Sequence, residues 1–277
     1  MSSVQINERL TVGLRTLFMS VIALIFIIPI LWIFISSLKT PNELFSWPPT
    51  LIPNDFTFQN YVTAFEKANF AVYFRNSFIV TVSATVLTLV INSMAGFALA
   101  KYRFKGRNAI FTAFIATLMI PLQVIMVPIF IVLRQFGLYD TLIGIIIPPA
   151  ATPTGVFLCR QFFMTIPTEL MESARIDGAG EWTIFWRVML PLATPVLTAL
   201  TIFSFTWRWN DFLWPFVVIS SETKFTIQVA IANFVGQFSV DWNSLLSMNI
   251  VAMIPVLLVF LFFQRYFVKG IALSGLK

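Results

Sequence analysis

Long stretches of this chain carry no charged residue. Continuously apolar intervals run over Thr16–Ser37, Asn76–Ala100, Asn108–Leu133 and Thr141–Cys159; a fifth begins with Val188–Trp207, and a sixth covers Trp242–Gln264. A helix needs about 20 mostly apolar residues to cross a bilayer. Barrel strands would instead alternate apolar and polar residues over about ten positions. The pattern therefore predicts an all-α, polytopic membrane protein with six transmembrane helices. The first run exceeds the roughly 7–15-residue core of a signal peptide and no small-residue cleavage site follows it, so it reads as a retained span.

Six spans place both termini on one side. If that side is the cytoplasm, the inward segments hold Arg9, Arg15, Lys101, Arg103, Lys105, Arg107, Arg160, Arg175, Arg187, Arg265, Lys269 and Lys277, 12 of the 18 basic residues. Lys39, Lys67, Arg75, Arg134, Arg208 and Lys224 face out. The block Lys101–Arg107 lies in a short loop, where positive-inside bias counts strongly. Both termini are accordingly predicted to be cytoplasmic. The first external loop carries Trp47-Pro48-Pro49 and Pro53, which favour extended chain; it is expected to be a packed segment and not a domain.

Composition agrees with a bilayer as solvent. Residues are 58% hydrophobic and only 11% charged, against about 25% charged in an ordinary soluble domain. The net charge of +6 is then a matter of topology, and no nucleic-acid partner is expected. The chain has no His, which removes His-based proton relays, catalytic triads and HExxH zinc sites. Its single cysteine, Cys159, cannot form an intrachain disulfide. There is no internal repeat, Gly/Ser linker or low-complexity tract.

The one sizeable cytoplasmic loop runs from Arg160 to Arg187. Within it, Thr168 is placed to N-cap a helix and Glu169 to meet its dipole. That helix would end at Gly178 or Gly180, each suited to a left-handed residue. A second helix can start near Glu181 and pass Trp182, Ile184, Phe185 and Val188 towards Leu190-Pro191. Leu170, Ala174 and Ile176 are apolar; Glu169, Glu172, Arg175 and Asp177 are charged. Two amphipathic helices with a glycine corner can be an interfacial pair or a docking element.

The loop resembles the EAA loop of ABC importer permeases. That pattern is Glu-Ala-Ala, three residues, Gly, nine residues, then Ile-x-Leu-Pro. Here Glu172-Ser173-Ala174 is followed at the same spacing by Gly178 and by Val188-Met189-Leu190-Pro191. Ser173 and Val188 depart from the pattern. Ile91–Tyr102, Trp209–Pro215 and Gln264–Gly270 further resemble the sugar-type branch, similar to the smaller permease of maltose importers. The resemblance implies a type I ABC importer permease fold. It implies sugar import, and coupling to a separate ATPase through Glu172, Ser173, Ala174, Asp177 and Gly178. Implied partners are a second permease, an ATP-binding subunit dimer carrying ATP and Mg, an extracytoplasmic solute-binding protein and a bacterial inner membrane. Implied segments are 1–71, tail, first span and first external loop; 72–267, the transmembrane core with coupling loop 167–187; and 268–277, a cytoplasmic tail.

Leu192–Ser221 is too long for one span at about 1.5 Å per residue. Trp207-Arg208-Trp209-Asn210-Asp211 and Pro215 interrupt it. Broken helices and charges at membrane depth face protein or water-filled cavities, so Trp207, Trp209, Asn210, Asp211 and Trp214 are candidates for a translocation path. Aromatic faces and side-chain oxygens suit sugar C–H faces and hydroxyls. The tryptophans can equally be interfacial anchors, and Arg208 can pair with Asp211. Asn92, Gln123 and Asn249 read as interhelical bonds. No GxxxxGK[ST] loop is present, so no nucleotide, cofactor, catalytic or metal site is expected in this chain. A secondary transporter or channel would share the spans but not the glycine-cornered loop.

Overall fold

A computed structural model describes residues 3–67, 69–233 and 240–274. Lys277 lies outside them, as do the side chains of Arg9, Lys67, Arg265 and Lys269. Among the described residues the chain is helix, turn and loop, with no strand. In order the helices are α1 Ser3–Ser37, α2 Pro41–Leu44, α3 Gln59–Lys67, α4 Phe70–Lys101, α5 Arg107–Ala116, α6 Leu122–Gln135, α7 Leu142–Ile146 and α8 Pro153–Thr165. There follow α9 Glu169–Ile176, α10 Glu181–Thr183, a π-helical turn Ile184–Met189, α11 Leu190–Leu192, α12 Thr194–Trp209, α13 Leu213–Val218, α14 Ile227–Asn233 and α15 Trp242–Ser274.

Three helical stretches are long and apolar enough to cross a membrane: Thr11–Ser37, Phe70–Lys101 and Trp242–Gln264. Two further stretches qualify only as bent pairs, α5–α6 (108°) and Glu181–Leu192 with α12 (78°). The predicted single helix over Thr141–Cys159 is not formed. Pro148, Pro149 and Pro153 have no N–H to continue an α-helix, and the run splits into α7 and α8. Each piece has its own cap: Thr141 Oγ1 accepts from Gly144 N–H at 3.1 Å and Thr152 Oγ1 from Gly155 N–H at 3.2 Å. The predicted span over Asn108–Leu133 likewise breaks at Ile120-Pro121. Helix α15 continues past the predicted end at Gln264, through the start of the expected 268–277 tail, to Ser274.

The chain forms two compact units, Met1–Ala68 with Asn233–Ala252, and Asn69–Ala232 with Met253–Lys277. In the first unit the Pro-rich loop is tied down at its roots by polar contacts, while Trp47, Leu51 and Ile52 along it are exposed. Asn60 Nδ2 donates to the Ser37 and Lys39 carbonyls, both at 2.8 Å, and Asn243 Nδ2 to the Lys39 carbonyl at 2.9 Å. The Lys39 side chain is buried, its ammonium 2.5 Å from the Thr50 carbonyl and 5.0 Å over the Trp32 ring. Helix α1 leaves the apolar side chains of its middle exposed.

The second unit is organised along α4, about 48 Å long at 1.5 Å per residue for its 32 residues. Helix α8 runs parallel to it at close range. Asn92 Oδ1 accepts from Thr152 N–H at 3.0 Å, and a Cβ on Gly96 would lie 2.5 Å from Cys159 Cβ. Arg160 Nε donates to the Leu99 carbonyl at 3.3 Å, and Lys101 Nζ to the Ile166 carbonyl. Loop 166–168 thus meets the Lys101 end of α4.

The opposite end of α4 binds residues 222–227. Tyr73 donates to Glu222 (3.0 Å), Asn76 to the Thr223 and Phe225 carbonyls (2.9 and 3.1 Å), and Ser77 Oγ accepts from Ile227 N–H (2.7 Å). Asp140 is tied to that end through Ser220, Ser221 and Lys224. The chain therefore passes four times between the two ends: along α4, back through α5–α6, out again through α7–α8, and back through the stretch that ends in α12–α13.

Candidate functional site

The first helix of the loop between α8 and α12 is anchored by Met171, and the second half of the loop by Ile184, Phe185 and Met189. Met171, 1% exposed, enters the cluster of Phe97, Phe163, Ile184, Phe185 and Met189. Ala174 packs beside it at i+3. The apolar face expected from Leu170, Ala174 and Ile176 is thus turned: Leu170 is 41% and Ile176 87% exposed. Around the helix Ile176 falls almost opposite the 171–174 stripe and Leu170 at its edge, so neither shares its full burial.

Thr168 is not the side-chain cap the sequence suggests. Its backbone is already helical (φ −73°, ψ −24°) and makes no cap bond, whereas an N-cap needs extended backbone. Its hydroxyl instead accepts from Lys101 Nζ at 3.4 Å.

The corner sits at Gly178, with φ +84°. Gly178 N–H donates to the Arg175 carbonyl at 3.0 Å and Ala179 N–H to the Ala174 carbonyl at 2.9 Å. These two bonds are the Schellman pattern, which closes a helix through a left-handed residue. Gly180 takes no part in it. It is extended (φ −73°, ψ 162°) and precedes α10. The second helix starts at Glu181 as predicted. It widens into a π turn just before Pro191, which has no N–H to offer residue 187.

A brace missed by sequence reasoning spans the corner. Arg175 Nε and Nη2 donate to Glu181 Oε1 and Oε2 at 2.8 and 3.2 Å, and the Tyr102 hydroxyl donates to Glu181 Oε2. Burial and the bond to Glu181 push the Tyr102 phenol up to about 12. Tyr102 is 79 positions from Glu181, and no local signal links them. Of the five predicted coupling residues, Glu172, Ser173, Asp177 and Gly178 are exposed around the corner, and Ala174 is half-buried beneath them.

The five predicted path residues do not share one surface. Helix α12 stops at Trp209, and Asn210–Phe212 forms the predicted break before α13. Trp207 is 70% exposed and Asn210 is exposed. Trp209 is buried between Phe205 (stacked, 5.9 Å) and Phe74 (edge-on, 5.4 Å). Trp214 is buried in a second cluster with Val80, Met126 and Val218. Asp211, half-buried, accepts from Trp214 N–H at 3.3 Å and so caps α13. Arg208 makes no ion pair with it: its guanidinium donates to the Pro149 carbonyl in the α7–α8 break. Gln228, unmarked in the sequence, reaches Asn210 Oδ1 at 3.4 Å. Among the described residues no group of three or more His, Cys, Asp or Glu could hold a metal.

The family model described as "Binding-protein-dependent transport system inner membrane component" matches residues 92–273. The arabinooligosaccharides transport system permease protein AraQ of Bacillus subtilis is 37% identical over 95% of this chain and 94% of its own length. The diacetylchitobiose uptake system permease protein NgcG of Streptomyces coelicolor is 37% identical over 88% of this chain and 82% of its own. The sn-glycerol-3-phosphate transport system permease protein UgpE of Yersinia enterocolitica is 33% identical, covering 90% and 91%. Among solved structures, a chain of a bacterial ABC transporter that imports the acidic polysaccharide alginate superposes with a TM-score of 0.83 at 26% identity, over 96% of this chain and 99% of that one.

Proposed function

Because this chain belongs to the family of binding-protein-dependent transport system inner membrane components, we propose that it forms half of the path of an ATP-driven importer for an oligosaccharide or related sugar derivative. The chain is a permease subunit and not itself an enzyme; ATP with Mg acts on a partner. The reading includes a second permease, a dimer of ATP-binding subunits and an extracytoplasmic solute-binding protein. It also includes six crossings of a bacterial inner membrane with both termini cytoplasmic. Residues 72–267 are the transmembrane core, after the 1–71 segment and before the 268–277 tail.

One observation carries the coupling role. The Gly178 corner is rigidly closed by two Schellman bonds and the Arg175–Glu181 brace, while Glu172, Ser173 and Asp177 remain exposed around it. A loop that only filled an interface would not need its polar crown held in a single shape. A rigid crown transmits displacement, so an ATPase that moves the crown would move α8 and α12 through Met171. The Lys101 end, with its basic block, is the cytoplasmic end in this reading.

For the path, Trp207, Asn210 and Asp211 are the substrate-facing groups, and buried Trp209 and Trp214 fix the wall behind them. In this reading Asn210 and Asp211, at the α12–α13 break, offer the side-chain oxygens that suit sugar hydroxyls.

Uptake into proteoliposomes holding the complete importer tests both parts. Glu172→Trp is expected to abolish ATP-driven uptake and weaken co-purification of the ATPase. If both survive, the coupling role is wrong. Asp211→Asn is expected to change uptake kinetics with assembly intact; unchanged kinetics would leave Asp211 as a helix cap only.

A further inference from the structure

We propose that the loop between α4 and α5 is a binding site for the phosphate of an anionic phospholipid, with the acyl chains lying along α5. An open cavity of about 490 Å³ is lined by Arg103, Phe104, Gly106, Arg107, Asn108 and Ala109. Its cations are free of carboxylates. The ion pairs among the described side chains are Arg175–Glu181 and Lys224–Asp140, and no Asp or Glu occurs between Glu66 and Asp140. Of nearby acids, Glu181 is taken up by Arg175 and Tyr102, and Glu169 acts on Lys101. Arg107 is steadied by donating to the Tyr102 carbonyl at 3.3 Å. Arg103 and Lys105 are exposed.

The cavity also holds the start of α5. Gly106 is left-handed at φ +83° and no side chain caps the helix. The Asn108 and Ala109 amides stand in a first turn, which has no intrahelical acceptors of its own. Two guanidinium groups and unclaimed amides together suit a phosphate oxygen set.

What marks the ligand as a lipid and not a soluble anion is the adjoining helix. Helix α5 has no buried residue, and Phe104 (44%) and Ile110 (55%) lie exposed beside the basic groups. Its 10 residues span about 15 Å. The chain then turns sharply at Ile120-Pro121. A phosphate in the cavity would therefore have its acyl chains against the exposed apolar side chains of α5. A basic loop serving orientation alone would need neither the cavity nor the acyl-facing helix.

The test is native mass spectrometry of the complete importer, equilibrated with phosphatidylglycerol or phosphatidylcholine of the same acyl chains. The wild type is expected to retain phosphatidylglycerol preferentially. Removing one cation at an anionic lipid surface weakens binding roughly fivefold. Arg103→Gln and Arg107→Gln should each show that loss, while Arg134→Gln, at the other end of α6, should not. Inorganic phosphate should fail to displace the lipid. Arg103 is exposed and forms no ion pair among the described side chains, so its variant keeps the test sound if Arg107→Gln fails to assemble. Equal retention of the two lipids, a variant pair indistinguishable from wild type, or displacement by free phosphate would each overturn the proposal.

Discussion

Replacing Gly178 by Ala isolates the conformational demand of the corner. Gly178 has φ +84°, and a Cβ there would meet nothing within 4 Å. No side-chain clash within this chain therefore adds to the conformational cost. Holding an L-residue in the left-handed region costs roughly 1–2 kcal/mol, partly offset by about 0.4–1 kcal/mol from a less flexible unfolded chain. A net loss of about 1 kcal/mol raises the opened-corner fraction roughly fivefold. The amides that report it are those of Gly178 and Ala179, which make the two Schellman bonds. Hydrogen exchange over residues 174–181 of the assembled importer should accelerate by about that factor in Gly178→Ala. Gly180→Ala is the internal control: φ is −73° and its Cβ site is also open, so exchange should stay near wild type. Gly178→Asn should recover much of the loss, because Asn tolerates the left-handed region. If Gly180→Ala accelerates exchange as much as Gly178→Ala, the corner is not where these backbone angles put it.

Gly96→Ala would bring a Cβ 2.5 Å from Cys159 Cβ and 2.8 Å from the Arg160 backbone nitrogen; the complex should lose about 1–3 kcal/mol of stability, read as a lower Tm. Trp209→Ala should empty a buried site for about 3–5 kcal/mol and reduce yield, whereas exposed Trp207→Ala should leave yield unchanged and alter only uptake. A double-mutant cycle on Arg175 and Glu181, both partly exposed, should return a small, salt-sensitive coupling in thermal stability. Burial opposes the Asp140 charge, but Lys224, Ser221 and two backbone N–H groups outweigh it and hold the carboxyl well below the usual carboxylate range. A depressed carboxylate stabilises fully above its unfolded pKa of about 4 and loses that contribution as pH falls through the folded value. Thermal unfolding of wild type minus Asp140→Asn should thus show an advantage that is constant above pH about 5 and shrinks below pH about 4.

The apolar intervals were legible because a bilayer penalises every charge along about 20 residues, a local property of the chain. Thr16–Ser37, Asn76–Ala100 and Trp242–Gln264 all fall within long helices. The glycine corner was legible for a similar reason: spacing narrowed the left-handed residue to Gly178 or Gly180. Prolines were visible at 148, 149 and 153, but apolarity alone could not tell one span from two short helices. What tertiary structure alone decided was direction. Met171, and not Leu170 or Ile176, faces the core because the ends of α4 and α8 stand beneath it. Arg208 turns to the Pro149 carbonyl and not to Asp211, which lies nearby in sequence but is committed to capping α13. Tyr102 meets Glu181 only because α4 and α8 run parallel and bring their ends together. Periodicity selects which residues leave water; which neighbour each one then meets depends on chain segments tens of positions away.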